Sequence, residues 1–124
     1  MVKHAIQNFQ IPVIDFDRAI KFYSTIMGYK LEELNFRDAK LGVFRYNEEN
    51  GISGTIIQGS DQEPSKGGTL IYLYCENKLE EHLSKVGEAG GEIHIEKTKL
   101  GPDMGYFAVI HDTEGNRVGL YSRK

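Results

Sequence analysis

The order of strand-like and helix-like segments repeats once along this chain, and the repeat limits the folds that it can adopt. A strand pattern begins near residue 5, and a helix pattern follows from Asp15 to Gly28. Strand-like stretches then come at about 29–36, 40–46 and 52–58. The second half repeats this order, with a strand at 69–75, a helix ending at Gly90-Gly91, and strands at about 92–97, 105–111 and 117–122. The sequence therefore predicts two βαβββ units.

Residue alternation assigns faces to the first strand and helix. Phe9, Ile11 and Val13 fall on one side of the strand, and polar Asn8 and Gln10 fall on the other. After Asp15, a typical N-cap residue, apolar side chains recur at helical spacing. These side chains are Ala19, Phe22, Tyr23 and Ile26. Gly28 is expected to end the helix, and Asn50-Gly51 predicts a tight hairpin turn.

A polar segment with Gly and Pro separates the two units. The stretch at about 60–68 is predicted to be a linker, with unit one at about 5–59 and unit two at about 69–123. A chain of 124 residues corresponds to a single domain, 1–124. The expected class is α+β. The two units are expected to form a curved mixed sheet, with a concave cup on one side and the helices on the convex side.

Composition excludes several classes of function. The net charge is −3 and the sequence has no basic cluster of the kind that binds a phosphate backbone, which argues against nucleic-acid binding. The longest apolar run, 70–75, is far shorter than the roughly 20 residues that a membrane span needs. Cys75 is the single cysteine, so an intrachain disulfide is excluded. With no secretory pattern at the N-terminus, the expected location is the cytoplasm.

Two separated motifs resemble a known superfamily. The first is Ile11-Pro12-Val13-Ile14-Asp15, followed by Arg18-Ala19-Ile20-Lys21-Phe22-Tyr23 and Gly28-Tyr29. The second is Gly105-Tyr106-Phe107-Ala108, followed by the run from Asp112 to Leu120. Together they resemble the vicinal-oxygen-chelate superfamily, which includes glyoxalase I, the bleomycin-resistance proteins and the extradiol dioxygenases. The resemblance is closest to the branch described only as related to lactoylglutathione lyase. It implies the fold strongly and the chemistry weakly.

The resemblance also implies where a metal would bind. Metal-using members take one ligand from the first and the last strand of each unit. These positions fall on Asn8, the stretch 52–58 in an uncertain register, Leu70 and Gly119. None of them offers His, Asp, Glu or Cys, and one amide oxygen cannot hold a catalytic metal. We therefore expect no metal and no cofactor, and this removes the glyoxalase I assignment.

The face that has lost these ligands is still polar and aromatic. Alternation places eight residues on the concave side: Asn8, Gln10, Gln58, Tyr72, Tyr74, Arg117, Gly119 and Tyr121. The position of Gln58 is ambiguous, because Ile56 and Ile57 are both apolar. Tyrosines offer flat apolar area and a hydroxyl, which suits a small polar or aromatic organic ligand. A wet unused cavity or a dimer surface is the alternative.

Other chemistry-bearing residues have structural interpretations. We expect hydrogen-bonded or surface roles for His4, His82, His94 and His111, although His94 and His111 can share a face. Cys75 is expected to be a core thiol, and Glu80-Glu81 a solvated helix face. Lys97 is a candidate for a charge at the rim of the cup. The segment 98–105, which contains Gly101 and Gly105, is either a lid or an ordinary loop.

Three functions remain open from the sequence. The first is a metal-independent protein that binds a small molecule. The second is a glyoxalase-type lyase or isomerase with unrecognised catalytic groups, and the third is an interaction module whose cup is closed by a partner protein. A homodimer is also expected, because open strand edges need to be covered or paired.

Overall fold

In the residues that the structure describes, each half of the chain contains one helix and four strands. The computed structural model describes residues 4–59 and 62–124. Unit one comprises β1 (Asn8–Pro12), α1 (Phe16–Met27), β2 (Glu32–Phe36), β3 (Ala39–Val43) and β4 (Ser53–Gln58). Unit two comprises β5 (Tyr72–Tyr74), α2 (Leu79–Leu83), β6 (Glu92–Lys99), β7 (Tyr106–His111) and β8 (Arg117–Ser122). The predicted βαβββ order is confirmed in both units.

The strands form two four-stranded mixed sheets with the same connectivity. Their orders are β1-β4-β3-β2 and β5-β8-β7-β6. In each sheet the first strand pairs in parallel with the last, and the remaining neighbours pair antiparallel. The α+β class predicted from the sequence is therefore confirmed. The described part of the predicted linker, residues 62–68, contains no helix or strand, and residues 60 and 61 lie outside the described residues.

Helix α1 has the boundaries that its sequence predicts. The side chain of Asp15 accepts a hydrogen bond of 3.0 Å from the backbone N–H of Arg18, which satisfies one of the free donors at the start of the helix. Gly28 ends the helix in the left-handed region, with φ of 83°. The predicted apolar face is buried, and it includes Phe22, Tyr23 and Ile26.

Two local predictions were wrong in extent. The second helix was expected to continue to Gly90, but α2 ends at Leu83 and turns follow. Lys78 precedes this short helix and makes no capping hydrogen bond through its side chain.

The expected tight turn at Asn50-Gly51 is instead a longer loop, residues 44–52, between β3 and β4. In this loop the N–H of Gly51 donates to the carbonyl of Asn47 at 2.7 Å.

One hydrophobic core contains residues from both units. Sheet one contributes Ile11 and Ile56, and sheet two contributes Leu73 and Leu120. The buried faces of the helices complete this core with Phe22, Tyr23, Ile26, Leu79 and Leu83. Both helices therefore lie on the side of the sheets that faces the core. The opposite faces, which we call the open faces, have neither α1 nor α2 against them.

A buried carboxylate joins the two units. Glu114, in the turn between β7 and β8, accepts hydrogen bonds from the backbone N–H groups of Ile14 and Asp15 at 2.9 and 2.7 Å. It also pairs with Arg18 at 2.6 Å. Desolvation alone would raise the pKa of Glu114, but the hydrogen bonds from Arg18, Asp15, Thr113 and Ile14 lower it to about 2. The charged carboxylate therefore anchors the start of α1 to unit two.

The same turn makes a second set of contacts with unit one. Asp112 Oδ1 accepts from the backbone N–H groups of Glu114 and Asn116, at 2.8 and 2.9 Å. The hydroxyl of Tyr23 donates to Asp112 Oδ2 at 2.6 Å, and the amide of Asn116 donates to the carbonyl of Pro12 at 2.7 Å. The polar residues of this turn are thus satisfied by contacts within the protein.

Neither described helix combines the length and the apolar composition that crossing a bilayer requires.

Candidate functional site

The open face of sheet two carries the tyrosines that the sequence placed there. On β5, Tyr72 and Tyr74 are 48% and 53% exposed, whereas Leu73 between them is 5% exposed. Tyr72 lies opposite Gly119 and Tyr74 lies opposite Tyr121 in the pairing of β5 with β8. These four predicted residues are therefore neighbours on one helix-free surface.

The aromatic rings on this face contact one another. Tyr74 and Tyr121 are stacked with ring centroids 6.3 Å apart, and Tyr72 meets Phe107 edge-on at 6.3 Å. The ring of Tyr72 lies over Gly119, where an added Cβ would be 2.4 Å from the ring. Glycine at 119 is thus what allows the ring to lie flat on the sheet. We call Tyr72, Tyr74, Phe107 and Tyr121 the aromatic cluster.

Phe107 was not among the predicted site residues. It lies directly opposite Tyr121 in the pairing of β7 with β8. Alternation along 105–111 would have placed it on the same face, but only the strand pairing shows which residue it faces.

The other end of this open face carries charged and imidazole side chains. His111 pairs with Arg117 on β8 and with Glu92 on β6. His94 stacks on His111, with ring centroids 4.7 Å apart and an interplanar angle of 22°. The expectation that His94 and His111 can share a face is confirmed. We call Arg117, His111 and His94 the basic cluster, and Glu92 lies at its edge.

The open face of unit one is polar along β1 and apolar towards β2. Asn8 and Gln10 are exposed, opposite Ser53 and Thr55 in the pairing of β1 with β4. The side-chain amide of Asn8 bonds to Gln7, and Gln10 accepts from Gln62 at 2.9 Å. Towards β2 the same face is apolar, with Leu34 and Phe36 being 48% and 63% exposed.

Gln58 does not line the open face. It lies on the same side of β4 as Gly54 and Ile56. Both of these residues are paired with residues of β1 whose side chains face the core. The side-chain oxygen Oε1 of Gln58 accepts a hydrogen bond of 2.7 Å from the backbone N–H of Phe16, at the start of α1. The expectation for this residue was wrong, since two adjacent isoleucines concealed the alternation.

Lys97 is also on the other side of its sheet. Its ammonium group pairs with Glu80 of α2 at 2.7 Å and lies 4.5 Å from the centroid of the Tyr106 ring. Tyr106 lies on the same side of β7 as the buried residues Ala108 and Ile110. The prediction of a charge at the rim of the cup was therefore wrong. Lys97 instead forms an ion pair that links α2 to β6. Glu80 remains largely exposed, as expected for a solvated helix face.

A small cavity brings two predicted site residues together. It has a volume of about 100 Å³ and lies between β1, the segment 63–71 and the start of β8. Gln10 and Arg117 both line it, together with Glu63, Ser65 and Thr69. A wider depression of about 390 Å³ runs along α1 and contains none of the predicted site residues.

The family's metal positions do not have the donors that a metal needs. The structure places Asn8 at the start of β1, Leu70 before β5 and Gly119 under the ring of Tyr72. The side chains on the open face of β4 are Ser53, Thr55 and Ile57. Among the described residues no group of three His, Cys, Asp or Glu side chains is arranged to hold an ion. The donor set therefore does not fit a catalytic metal.

Histidine and cysteine side chains elsewhere are part of the packing. His82 is 9% exposed and its Nδ1–H donates to the carbonyl of Ile26 at 2.6 Å, which links α2 to α1. Cys75 is 2% exposed, and burial raises the pKa of its thiol to about 12. Both agree with the structural roles expected from the sequence.

The segment after β6 lies beside the aromatic cluster. Its carbonyl at Met104 accepts a 2.9 Å hydrogen bond from the hydroxyl of Tyr121. Leu100 and Met104 are 46% and 59% exposed. The segment therefore holds two exposed apolar side chains, and its backbone contacts Tyr121.

Fold and site together define a class of protein. The sequence of residues 5–120, which covers nearly all of the two βαβββ units, matches the model of the glyoxalase/bleomycin resistance protein/dioxygenase superfamily. The chain belongs to this superfamily.

A curated relative and several solved structures are similar to it. A glyoxylase-like domain-containing protein of Didymella fabae is 28% identical over 127 residues, which cover 99% of this chain and 98% of the relative. Glyoxalase I from Zea mays has a TM-score of 0.71 at 22% identity; the match covers 94% of this chain but 45% of the maize chain.

Two further solved structures match over nearly their whole length. A glyoxalase/bleomycin resistance protein from Albidiferax ferrireducens has a TM-score of 0.71 at 16% identity, covering 98% of this chain and 100% of its own. The fosfomycin resistance protein FosX from Listeria monocytogenes has a TM-score of 0.66 at 17% identity, covering 100% and 94%. The TM-scores show that these proteins share the fold of this chain.

Proposed function

We propose that this protein binds a small polar or aromatic organic molecule on its open face, without a metal. The observation that carries the proposal is the aromatic cluster, in which Tyr72 and Tyr74 are about half exposed on a surface that neither helix covers. Asn8, Gln10, Arg117 and Tyr121 supply polar groups on the same faces of the two sheets.

Burial of the tyrosine rings would provide the affinity. Apolar surface removed from water contributes about 25 cal/mol per Å², and stacked aromatic pairs add about 0.5–1.5 kcal/mol. Leu100 and Met104 are exposed apolar side chains in the segment whose backbone accepts a hydrogen bond from Tyr121. Closure of this segment over a bound ring would exclude water, which is the role of a lid.

The alternative function is a glyoxalase-type lyase or isomerase. Its support is the structural likeness to glyoxalase I from maize, and that likeness concerns the fold. Elemental analysis of the purified protein and a hemithioacetal isomerase assay distinguish the two functions. Stoichiometric zinc or nickel together with turnover would establish the alternative and refute metal-independent binding.

Thermal-shift screening against a library of metabolites tests the proposal. A ligand at 100 times its Kd adds about 2.7 kcal/mol to the stability of the folded state. We expect a stabilising ligand whose effect is lost in Tyr74→Ser. The matched control is Tyr46→Ser, since Tyr46 is 45% exposed but lies in the loop after β3. A broad screen without any stabilising compound would count against binding, and equal losses in both variants would refute the site.

We also propose a homodimer in the cytoplasm, as the sequence led us to expect. β2 is an edge strand whose five residues are all exposed, and Leu34 and Phe36 lie on its open face. A partner that covered this edge would shield the apolar side chains from water. If the partner were instead another protein, the chain would be an interaction module.

A further inference from the structure

The basic cluster lies on the same face as the aromatic cluster, but at the opposite end of β8. Glu92, His111 and Arg117 form one row across β6, β7 and β8, because each is directly paired with the next. Side chains that are opposite in antiparallel strands have Cβ atoms about 4.5–5.5 Å apart. The side chains of Arg117 and His111 therefore leave the sheet side by side.

Arg117 is available to bind an anion. It is exposed, and within residues 4–59 and 62–124 it forms no salt bridge. Two carboxylates lie near: Glu92 is one strand beyond His111, and Glu63 lines the same cavity as Arg117. Both are exposed on the surface, where solvent screens them, and neither pairs with the guanidinium. Arginine presents five donors in a fork that fits a carboxylate bidentately.

The cavity beside Arg117 adds neutral hydrogen-bonding groups. Gln10, Ser65 and Thr69 line it, and its volume of about 100 Å³ accommodates a small head group. His94 and His111, stacked at 4.7 Å, do not line this cavity, and His111 lies opposite Arg117 on β7. A head group in the cavity would meet the guanidinium of Arg117 and the amide of Gln10, with Glu63 as the carboxylate of the lining.

The spacing between the two clusters limits the ligand. The Tyr72 ring lies over Gly119, and Gly119 is two residues along β8 from Arg117. Two residues of a strand span about 6.6 Å. A ring stacked on Tyr72 would thus place a short acidic side arm near the position of Arg117 on β8.

We infer that the ligand of the open face is an aromatic carboxylate, with its ring on the aromatic cluster and its anion on Arg117 and His111. This inference rests on the proposed function and adds the charge and the shape of the molecule.

Calorimetric titration with 2-naphthylacetate and its neutral amide, 2-naphthylacetamide, tests the inference. We expect the acid to bind at least about 10-fold more tightly than the amide, as a charge-assisted bidentate contact predicts. Arg117→Gln should remove this preference and change the affinity for the amide less than about 2-fold. Arg123→Gln, an exposed arginine just beyond β8, is the matched control and should keep the preference.

The outcomes separate the inference from the proposed function. Equal affinity for acid and amide in the unaltered protein would overturn the inference and leave aromatic binding in place. An equal loss of both ligands in Arg117→Gln would also overturn it, because the guanidinium would then act on the fold and not on the anion. Failure of both naphthyl compounds to bind would overturn the inference, while the metabolite screen separately decides the proposed function.

Discussion

The hydroxyl of Tyr23 in α1 donates a 2.6 Å hydrogen bond to Asp112 at the end of β7, so the helix of unit one is tied to the sheet of unit two. Tyr23 is fully buried, and burial raises the pKa of its phenol well above the ordinary value, with the nearby charge of Asp112 adding to this effect. The phenol therefore stays protonated and acts as a donor.

Removal of this hydroxyl is expected to destabilise the fold. In Tyr23→Phe the carboxylate of Asp112 loses one donor in a buried site, which costs about 1–3 kcal/mol. Urea unfolding followed by circular dichroism measures the change. Tyr29→Phe is the control, since the hydroxyl of Tyr29 only accepts from the backbone N–H of Arg45 at 3.2 Å near the surface. A change of equal size in both variants would contradict the special role of Tyr23.

Glu114 should make stability depend on pH in the acid range. Its pKa in the folded state is about 2, below the ordinary value of 4.5, so its stabilising contribution is complete above about pH 4.5 and is lost as the pH falls towards 2. Glu114→Gln should lower stability at pH 6 by about 2 kcal/mol and reduce the difference between pH 6 and pH 3.

Urea midpoints measured at several pH values between 3 and 6 test this prediction. Glu81→Gln, on the exposed side of α2, removes a carboxylate elsewhere and should keep the pH dependence of the unaltered protein. An unchanged pH profile in Glu114→Gln would show that other groups cause the acid sensitivity.

A methyl group at residue 91 should not be tolerated. A Cβ on Gly91 would lie 2.6 Å from the Phe22 ring and 2.7 Å from the carbonyl oxygen of His111. Gly91→Ala is therefore expected to destabilise the protein by about 2–3 kcal/mol through overpacking. Gly87→Ala, in the preceding turns, has no atom within 4 Å of the added Cβ and should be neutral or slightly stabilising. Thermal unfolding of the two variants side by side gives the comparison, and similar melting temperatures would refute the contact.

The thiol of Cys75 should be unreactive in the folded protein. Its side chain is 2% exposed and its pKa is raised by burial to about 12, so at pH 8 very little thiolate is present. Ellman's reagent should react slowly with the native protein and fully after unfolding in urea. Rapid stoichiometric reaction of the native protein would contradict the buried position.

The proposed homodimer predicts a mass near twice 14.0 kDa in light scattering at micromolar concentration. Phe36→Glu places a charge on the apolar open face of β2 and should shift the mass towards that of a monomer. Asn35→Glu adds the same charge to the other side of the strand and should leave the dimer intact. A mass near 14 kDa for the unaltered protein at all concentrations would refute the dimer.

Strand alternation was sufficient to predict the face on which much of the candidate site lies. Tyr72, Tyr74, Tyr121 and Arg117 lie on the predicted face, because each flanks a residue whose side chain is buried in the core. Alternation failed at Gln58, where Ile56 and Ile57 gave no contrast between the two faces. It also did not reveal that Phe107 lies opposite Tyr121 and His111 opposite Arg117, since that depends on the pairing of β7 with β8.

The sequence by itself determined the order of the two units, the limits of α1 and the side to which the tyrosines point, since these depend on neighbours a few residues away. Only the tertiary structure decided the roles of Glu114, Lys97 and Arg117. The carboxylate of Glu114 meets the N–H of Ile14 across 100 residues of chain, and Lys97 meets Glu80 from another element. No local pattern contains such distant contacts. They arise when packing of the apolar core brings the two units together, and that packing places Arg117 beside Gln10 and leaves the tyrosines exposed.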